Sequence, residues 1–356
     1  MRSGGNPGAE AAGRSSALRA VFRMGIRIMV SAALLTWMLT RLDWPALWVS
    51  LRESQPVYLL LAFGVVPGVV LVSAWKWMLL VLPQEAANRR RTGMNYGYFL
   101  RLYYVGLFFN HFLPGSVGGD VVRIALLRKT AGWTLAAVSV FVERLTSGLA
   151  LVIIVLAGGW MLEAVRPFLE IVLLLAGCLM LVVLLLWRLA RDSNRETSQK
   201  LDGGGAAAPS GGRAGAGIRK RLRQGWQDAL SVFRRYRAQK PGWWVQIALC
   251  SFAFQAGLVW INDLLFRAMG YRLPWLELLV FISLISALTM LPISVNGLGV
   301  REVSYLYFFQ QLGVPQEIAV SVSLLFFLMV ALSSLPGGLF WLKAEGRQRH
   351  ETLEST

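Results

Sequence analysis

Apolar residues along this chain come in long unbroken runs, set apart by short polar segments, and not in the stripes of an amphipathic soluble helix. Six runs, Val21–Thr40, Val57–Leu82, Trp133–Gly158, Phe168–Trp187, Trp243–Phe266 and Ile318–Leu342, are each long enough to cross about 30 Å of hydrocarbon, which takes about 20 helical residues. Two further apolar segments, Tyr98–Leu113 and Trp275–Leu291, run into a Pro- and Gly-containing break before a second helical stretch. The pattern predicts an all-α polytopic membrane protein. Arg19, Arg23 and Arg27 ahead of the first run have the look of a signal peptide. No small-x-small cleavage site follows cleanly, so the run reads as a first transmembrane helix.

Charge sharpens the picture. The chain carries 36 Lys and Arg against 19 Asp and Glu, and the excess is confined to a few segments between apolar runs. That is the topology signal of a membrane protein, not a groove for nucleic acid. Arg188–Lys240 holds thirteen basic and four acidic residues around a Gly/Ala-rich middle, and it reads as a flexible cytoplasmic linker. The N-terminal tail, the Arg89-Arg90-Arg91 loop and the tail after Leu342 are also basic, and so cytoplasmic. The loops around Asp43–Gln55, Glu163–Arg166 and Arg267–Arg272 carry little net charge and face outward. The resulting division is 1–18, a cytoplasmic tail; 19–187, a first repeat plus the first span of a second; 188–241, the basic linker; 242–343, the rest of the second repeat; and 344–356, a cytoplasmic tail.

These sides are consistent only if each broken segment is a hairpin that leaves on the side it entered. The chain then has about six full transmembrane helices plus two re-entrant broken-helix hairpins. The breaks also align with each other: Leu113-Pro-Gly-Ser-Val-Gly-Gly-Asp-Val-Val-Arg123 and Leu291-Pro-Ile-Ser-Val-Asn-Gly-Leu-Gly-Val-Arg301 share seven positions without a gap, at an offset of 178 residues, half the chain. Each half reads span, span, broken hairpin, span. Three crossings per half turn the second half upside down, which predicts an inverted repeat with its site where the broken helices meet.

Candidate chemistry gathers at those breaks. A restarted helix points unpaired N–H groups and a positive dipole end into the membrane interior, where an anion is attracted. Gly118, Gly119, Gly297 and Gly299 let a phosphate approach the backbone. Arg123 and Arg301, in the same register of the two repeats, are placed to clamp phosphate oxygens, or else to pair with Asp120, Glu143 or Glu302. Ser116, Ser294 and Asn296 are candidate headgroup contacts or simple helix caps. Glu143 and Arg144 lie mid-span, a costly place for charge, and as neighbours on a helix they need separate partners. Cys178, Cys250, His111 and His350 are too few for a metal or haem site. No catalytic triad, P-loop or dinucleotide fingerprint occurs in a suitable context. The expectation is a protein without cofactor and not an enzyme.

Phe112 to Arg128, the intramembrane Glu143-Arg144 pair and Pro292 to Glu302 together resemble the flippase-like family, also named for the transmembrane region of lysylphosphatidylglycerol synthase. The resemblance runs from about Arg19 to Lys343. It implies a lipid-handling membrane domain in a bacterial-type cell membrane, with membrane lipids, anionic or phosphate-bearing, as partners. Only a short polar tail follows Leu342 here, so the synthase's aminoacyl-transferase activity is not expected to carry over. The leading expectation is flippase-like movement of an anionic phospholipid or polyprenyl-phosphate-linked lipid. The alternatives are a membrane-embedded transferase acting on a lipid-linked sugar and a non-catalytic partner of a lipid-modifying enzyme. A second copy of the chain is a further candidate partner.

Overall fold

The structure, a computed structural model, describes residues 44–84, 93–112, 118–202, 214–290 and 297–354, with Met29, Thr36 and Thr40 besides. Its secondary structure is helical throughout these residues: α1 Trp44–Arg52, α2 Pro56–Val81, α3 Tyr96–Phe112, α4 Gly118–Ala131, α5 Trp133–Gly159, α6 Arg166–Asp202, α7 Ala214–Arg237, α8 Pro241–Ala268, α9 Trp275–Met290, α10 Val300–Gln310 and α11 Gln316–Glu354. Among the described residues, five stretches are long and apolar enough to cross a membrane: Pro56–Val81, Trp133–Gly159, Glu163–Leu185, Pro241–Ala268 and Gln316–Lys343. They coincide with five of the six expected spans. The sixth, Val21–Thr40, lies outside the described residues apart from Met29, Thr36 and Thr40.

Both interrupted segments end where the Leu-Pro breaks begin and resume after them, consistent with the missing proline N–H and the freedom of glycine, though Pro67 and Pro336 are carried inside α2 and α11. The helices on either side of each break lie antiparallel. Tyr98 Oη, near the start of α3, lies 2.9 Å from Thr130 Oγ1 near the end of α4, while at the other end the Gly119 N–H donates to Asn110 Oδ1 at 2.8 Å. In the second pair the Phe281 ring of α9 meets Phe308 and Phe309 of α10.

Helix packing follows from small residues at the crossings. α3 packs on α11, and a Cβ added at Gly337 would overlap the Tyr104 carbonyl oxygen. α5 packs on α9, where a Cβ at Gly158 would lie 2.5 Å from Val280 Cγ2. α2 packs on α8, with Gly257 set against Val69 in the same way. Backbones approach this closely only where no side chain intervenes. Gly337→Ala is therefore expected to cost about 1–3 kcal/mol through overpacking, read as a lower thermal midpoint of the purified protein. Gly64→Ala, where an added Cβ meets nothing within 4 Å, is expected to leave the midpoint unchanged or raise it.

Two loops expected on one side do meet: the Gln55 N–H donates to the Ala268 carbonyl at 2.8 Å. The first of them is not a plain loop, because Trp44–Arg52 within it forms α1. The basic stretch Arg188–Lys240 departs further from a flexible linker. α6 continues to Asp202, and α7 occupies Ala214–Arg237, with 203–213 outside the described residues. Composition hid the helix, since Gly, Ala and Arg dominate the count. Its apolar positions Ile218, Leu222, Trp226, Ala229, Phe233 and Tyr236 nonetheless recur at spacings of three and four. Tyr236 and Trp243 donate to the Leu80 and Leu79 carbonyls at 2.9 and 3.1 Å, supplying partners for acceptors that a helix C-terminus leaves open.

Candidate functional site

α4 and α5 are joined by two ion pairs between consecutive turns. Arg123 Nη2 donates to Glu143 Oε2 at 2.5 Å. Arg144 grips Asp120 with both arms of its fork, Nε to Oδ2 at 2.9 Å and Nη2 to Oδ1 at 3.0 Å. Glu143 and Arg144 point in different directions around α5, and each finds its own partner on α4, where Asp120 and Arg123 are one turn apart. Asp120 also suits the positive end of α4.

Arg123 does not present an open guanidinium. It is 3% exposed, lies between the rings of Trp77 and Tyr103 at 4.0 and 4.3 Å, and is opposed by two carboxylates. A buried guanidinium needs this compensation, because its desolvation costs several kcal/mol. Arg144 differs: it keeps its bidentate pair while 44% of its side chain remains exposed.

The second half is simpler. Arg301 donates to Glu302 Oε1 through Nε at 3.1 Å and Nη2 at 2.8 Å, with Ser323 Oγ at 3.3 Å from Nε. Glu302 is buried, and its other oxygen accepts the Gly299 N–H at 2.7 Å, capping α10. Gly297 and Gly299 have φ of +73° and +84°, which only glycine adopts without cost. The glycines expected to offer open N–H donors are thus partly engaged: Gly119 by Asn110 and Gly299 by Glu302. Gly119 has a packing role besides, since a Cβ there would overlap the Gly106 carbonyl oxygen. Gly118 is half-buried in the first turn of α4. Ser116, Ser294 and Asn296 lie outside the described residues.

Between the two antiparallel pairs is a cavity of about 480 Å³. Arg144 and Asp120 reach it from the first half and Arg301 from the second, with Asn110, Asn262 and Tyr305 adding neutral polar groups. Tyr305 Oη donates to Asn262 Oδ1 at 2.6 Å. A smaller cavity of about 190 Å³ shares Asn110, His111, Arg144 and Arg301 and extends to Arg123. Glu143 and Glu302 stand behind the lining arginines.

Sequence reasoning missed Lys76. It is 2% exposed, and its Nζ donates to Ser147 Oγ at 2.8 Å and to the Glu143 carbonyl at 3.2 Å, tying α2 to the same cluster. The signal was a lone ammonium inside the apolar run Val57–Leu82. Of its neighbours, Trp75 is exposed, but Trp77 is fully buried and its indole N–H donates to Ser139 Oγ at 3.1 Å. Asp263 is likewise buried and paired with Arg267 Nε at 2.8 Å.

Residues 24–338 match the family described as the lysylphosphatidylglycerol synthase TM region. The chain belongs to that family. The match spans both antiparallel helix pairs and every residue that lines the cavity, so the family's shared region is this bundle, a multi-pass membrane protein. A comparison with curated proteins finds no match. Membership supports a role connected with membrane lipids.

Proposed function

We propose that the protein moves an anionic or phosphate-bearing lipid between leaflets, the headgroup passing along the charged groups of this cavity while the acyl chains stay in the bilayer. One observation carries this reading: arginines from both halves of a chain built of apolar spans line a common cavity whose wall is part polar and part apolar. Charge inside a membrane is costly and is retained where a pathway needs it. Arg144 is the first contact for a phosphate, which displaces the Asp120 carboxylate from the same fork. Arg301 is the second contact. Arg123, Glu143 and Lys76 hold the frame, while Asn110, Asn262 and Tyr305 hydrogen-bond the rest of the headgroup.

In this reading the chain has six full spans and two re-entrant hairpins in an inverted repeat, in a bacterial-type inner membrane with both termini and the basic stretch cytoplasmic. Support comes from the way the helix contacts pair off: α3 on α11 has its mate in α9 on α5, α4 on α5 in α10 on α11, and α2 meets its own equivalent, α8. A close-packed glycine also marks each of the two mated crossings, Gly158 of α5 against α9 and Gly337 of α11 against α3. The basic α7 sits at the C-terminal end of α2, whereas the lightly charged Gln55 and Ala268 meet at the other, as a one-sided distribution of basic loops requires.

The test uses a single thiol on the cavity wall. In a Cys178→Ala, Cys250→Ala background, Ser286→Cys is exposed to an anionic water-soluble thiol reagent. Short-chain phosphatidylglycerol is expected to slow labelling several-fold, and phosphatidylcholine of the same chain length to leave it unchanged. Equal rates with both lipids, or no labelling in the absence of lipid, contradict the reading.

A further inference from the structure

α7 carries seven basic residues and one acidic residue, Asp228, so its charge is not balanced along its own length. Over 224–237 its apolar stripe is covered by the bundle only toward the C-terminal end. Leu230, Val232 and Tyr236 are buried, and Phe233 meets the ring of Phe141 on α5 at 6.4 Å. Gln224–Asp228 are all exposed, and Trp226, on the stripe, is 50% exposed. By register the stripe continues through Leu222 and Ile218, with Arg219, Lys220, Arg221 and Arg223 interleaved. The covered end is anchored at the point where two spans leave the apolar bundle: Tyr236 on the Leu80 carbonyl of α2, and Trp243 at the start of α8 on the Leu79 carbonyl.

A basic amphipathic helix held at the end of two spans, with an uncovered tryptophan in its apolar stripe, has the attributes of an interfacial helix: apolar side chains among acyl chains and cationic side chains among anionic headgroups. We infer that α7 is a membrane-surface element that binds anionic phospholipid headgroups of the bilayer the protein spans. The cations sit within reach of the surface potential, where attraction is strongest and most salt-sensitive. The inference does not depend on transport; it requires only that α7 rests on the surface of an anionic leaflet. A headgroup-rich surface at this point adjoins the ends of α2 and α5, the helices that carry Lys76, Glu143 and Arg144.

Gly225→Cys in the Cys178→Ala, Cys250→Ala background carries an environment-sensitive fluorophore, and an added side chain there meets nothing within 4 Å. In vesicles of phosphatidylcholine with phosphatidylglycerol, the emission is expected to shift to the blue and to be quenched by nitroxide-bearing lipid. In phosphatidylcholine alone the label should remain in water. High salt should reverse the shift, and Arg219→Gln, Lys220→Gln, Arg221→Gln and Arg223→Gln together should abolish it. The lipid comparison on the unsubstituted helix stands even if that variant misfolds. Equal signals in the two lipids, or a response that survives neutralisation of the four cations, overturns the inference. A shift that appears only on adding RNA identifies a soluble polyanion as the partner and overturns it as well.

Discussion

Glu143→Ala is expected to be the most destabilising single substitution in the polar cluster. It removes the closest counter-charge of Arg123, leaving a guanidinium that is 3% exposed with only the 3.5 Å contact to Asp120. Lys76 remains buried beside it, with its Nζ on the Glu143 carbonyl and Ser147. Breaking a buried pair from one side costs about 3–5 kcal/mol, because the remaining charge stays desolvated and uncompensated. Thermal unfolding in detergent should show a large fall in midpoint or the loss of folded protein. Glu143→Gln, which keeps a hydrogen-bond acceptor but not the charge, should fall between. Arg123→Met combined with Glu143→Met should be more stable than Glu143→Ala, since removing both charges removes the desolvation problem. If the double variant is the least stable of the set, the pair contributes more than charge balance and this account of the cluster is wrong.

Arg144→Gln is expected to have a different profile, with a smaller loss of stability than Glu143→Ala and a large loss of function. Arg144 is 44% exposed, and Asp120, though buried, keeps the 3.5 Å contact to Arg123 and the positive end of α4, so its charge is not left uncompensated. A charge-assisted contact to a phosphate in the cavity is worth about 1.5–3 kcal/mol. Lipid exchange in reconstituted vesicles should therefore fall by about ten- to a hundredfold, the rate equivalent of that energy. Arg144→Lys should recover little of it, because an ammonium cannot reproduce the planar fork. A variant that unfolds instead, or one that exchanges lipid normally, would remove Arg144 from the pathway.

Much of the architecture was legible because membrane spans are written in runs: an apolar stretch of about 20 residues has few other uses, and five such stretches lie where hydropathy put them. The breaks were legible from the two aligned Leu-Pro segments, since proline disfavours continuing a helix, although it does not end one by itself: Pro67 lies inside α2 and Pro336 inside α11. Pair identity was not. The sequence indicates that Glu143 and Arg144 need different partners, but that Arg123 takes one and Asp120 the other depends on how α4 lies on α5. Lys76 was passed over because a lysine near the end of a span is ordinarily drawn to the interface, whereas here Ser147 and the Glu143 carbonyl receive it in the interior. α7 was hidden by composition, its spacing of three and four outweighed by glycine and arginine. The aligned breaks drew attention to Arg123 and Arg301, but which arginine reaches the cavity depends on how the side chains pack, which a one-dimensional pattern does not carry.

The most direct test of lipid movement through the cavity uses purified protein in sealed vesicles with headgroup-labelled lipids in one leaflet, following the loss of that asymmetry. Vesicles with the wild-type chain should exchange phosphatidylglycerol or another phosphate-bearing anionic lipid faster than protein-free vesicles, and the Arg144→Gln, Arg301→Gln double variant should return the rate to that baseline. Exchange no faster than in protein-free vesicles across a broad lipid panel, or exchange untouched by the double substitution, would contradict the account.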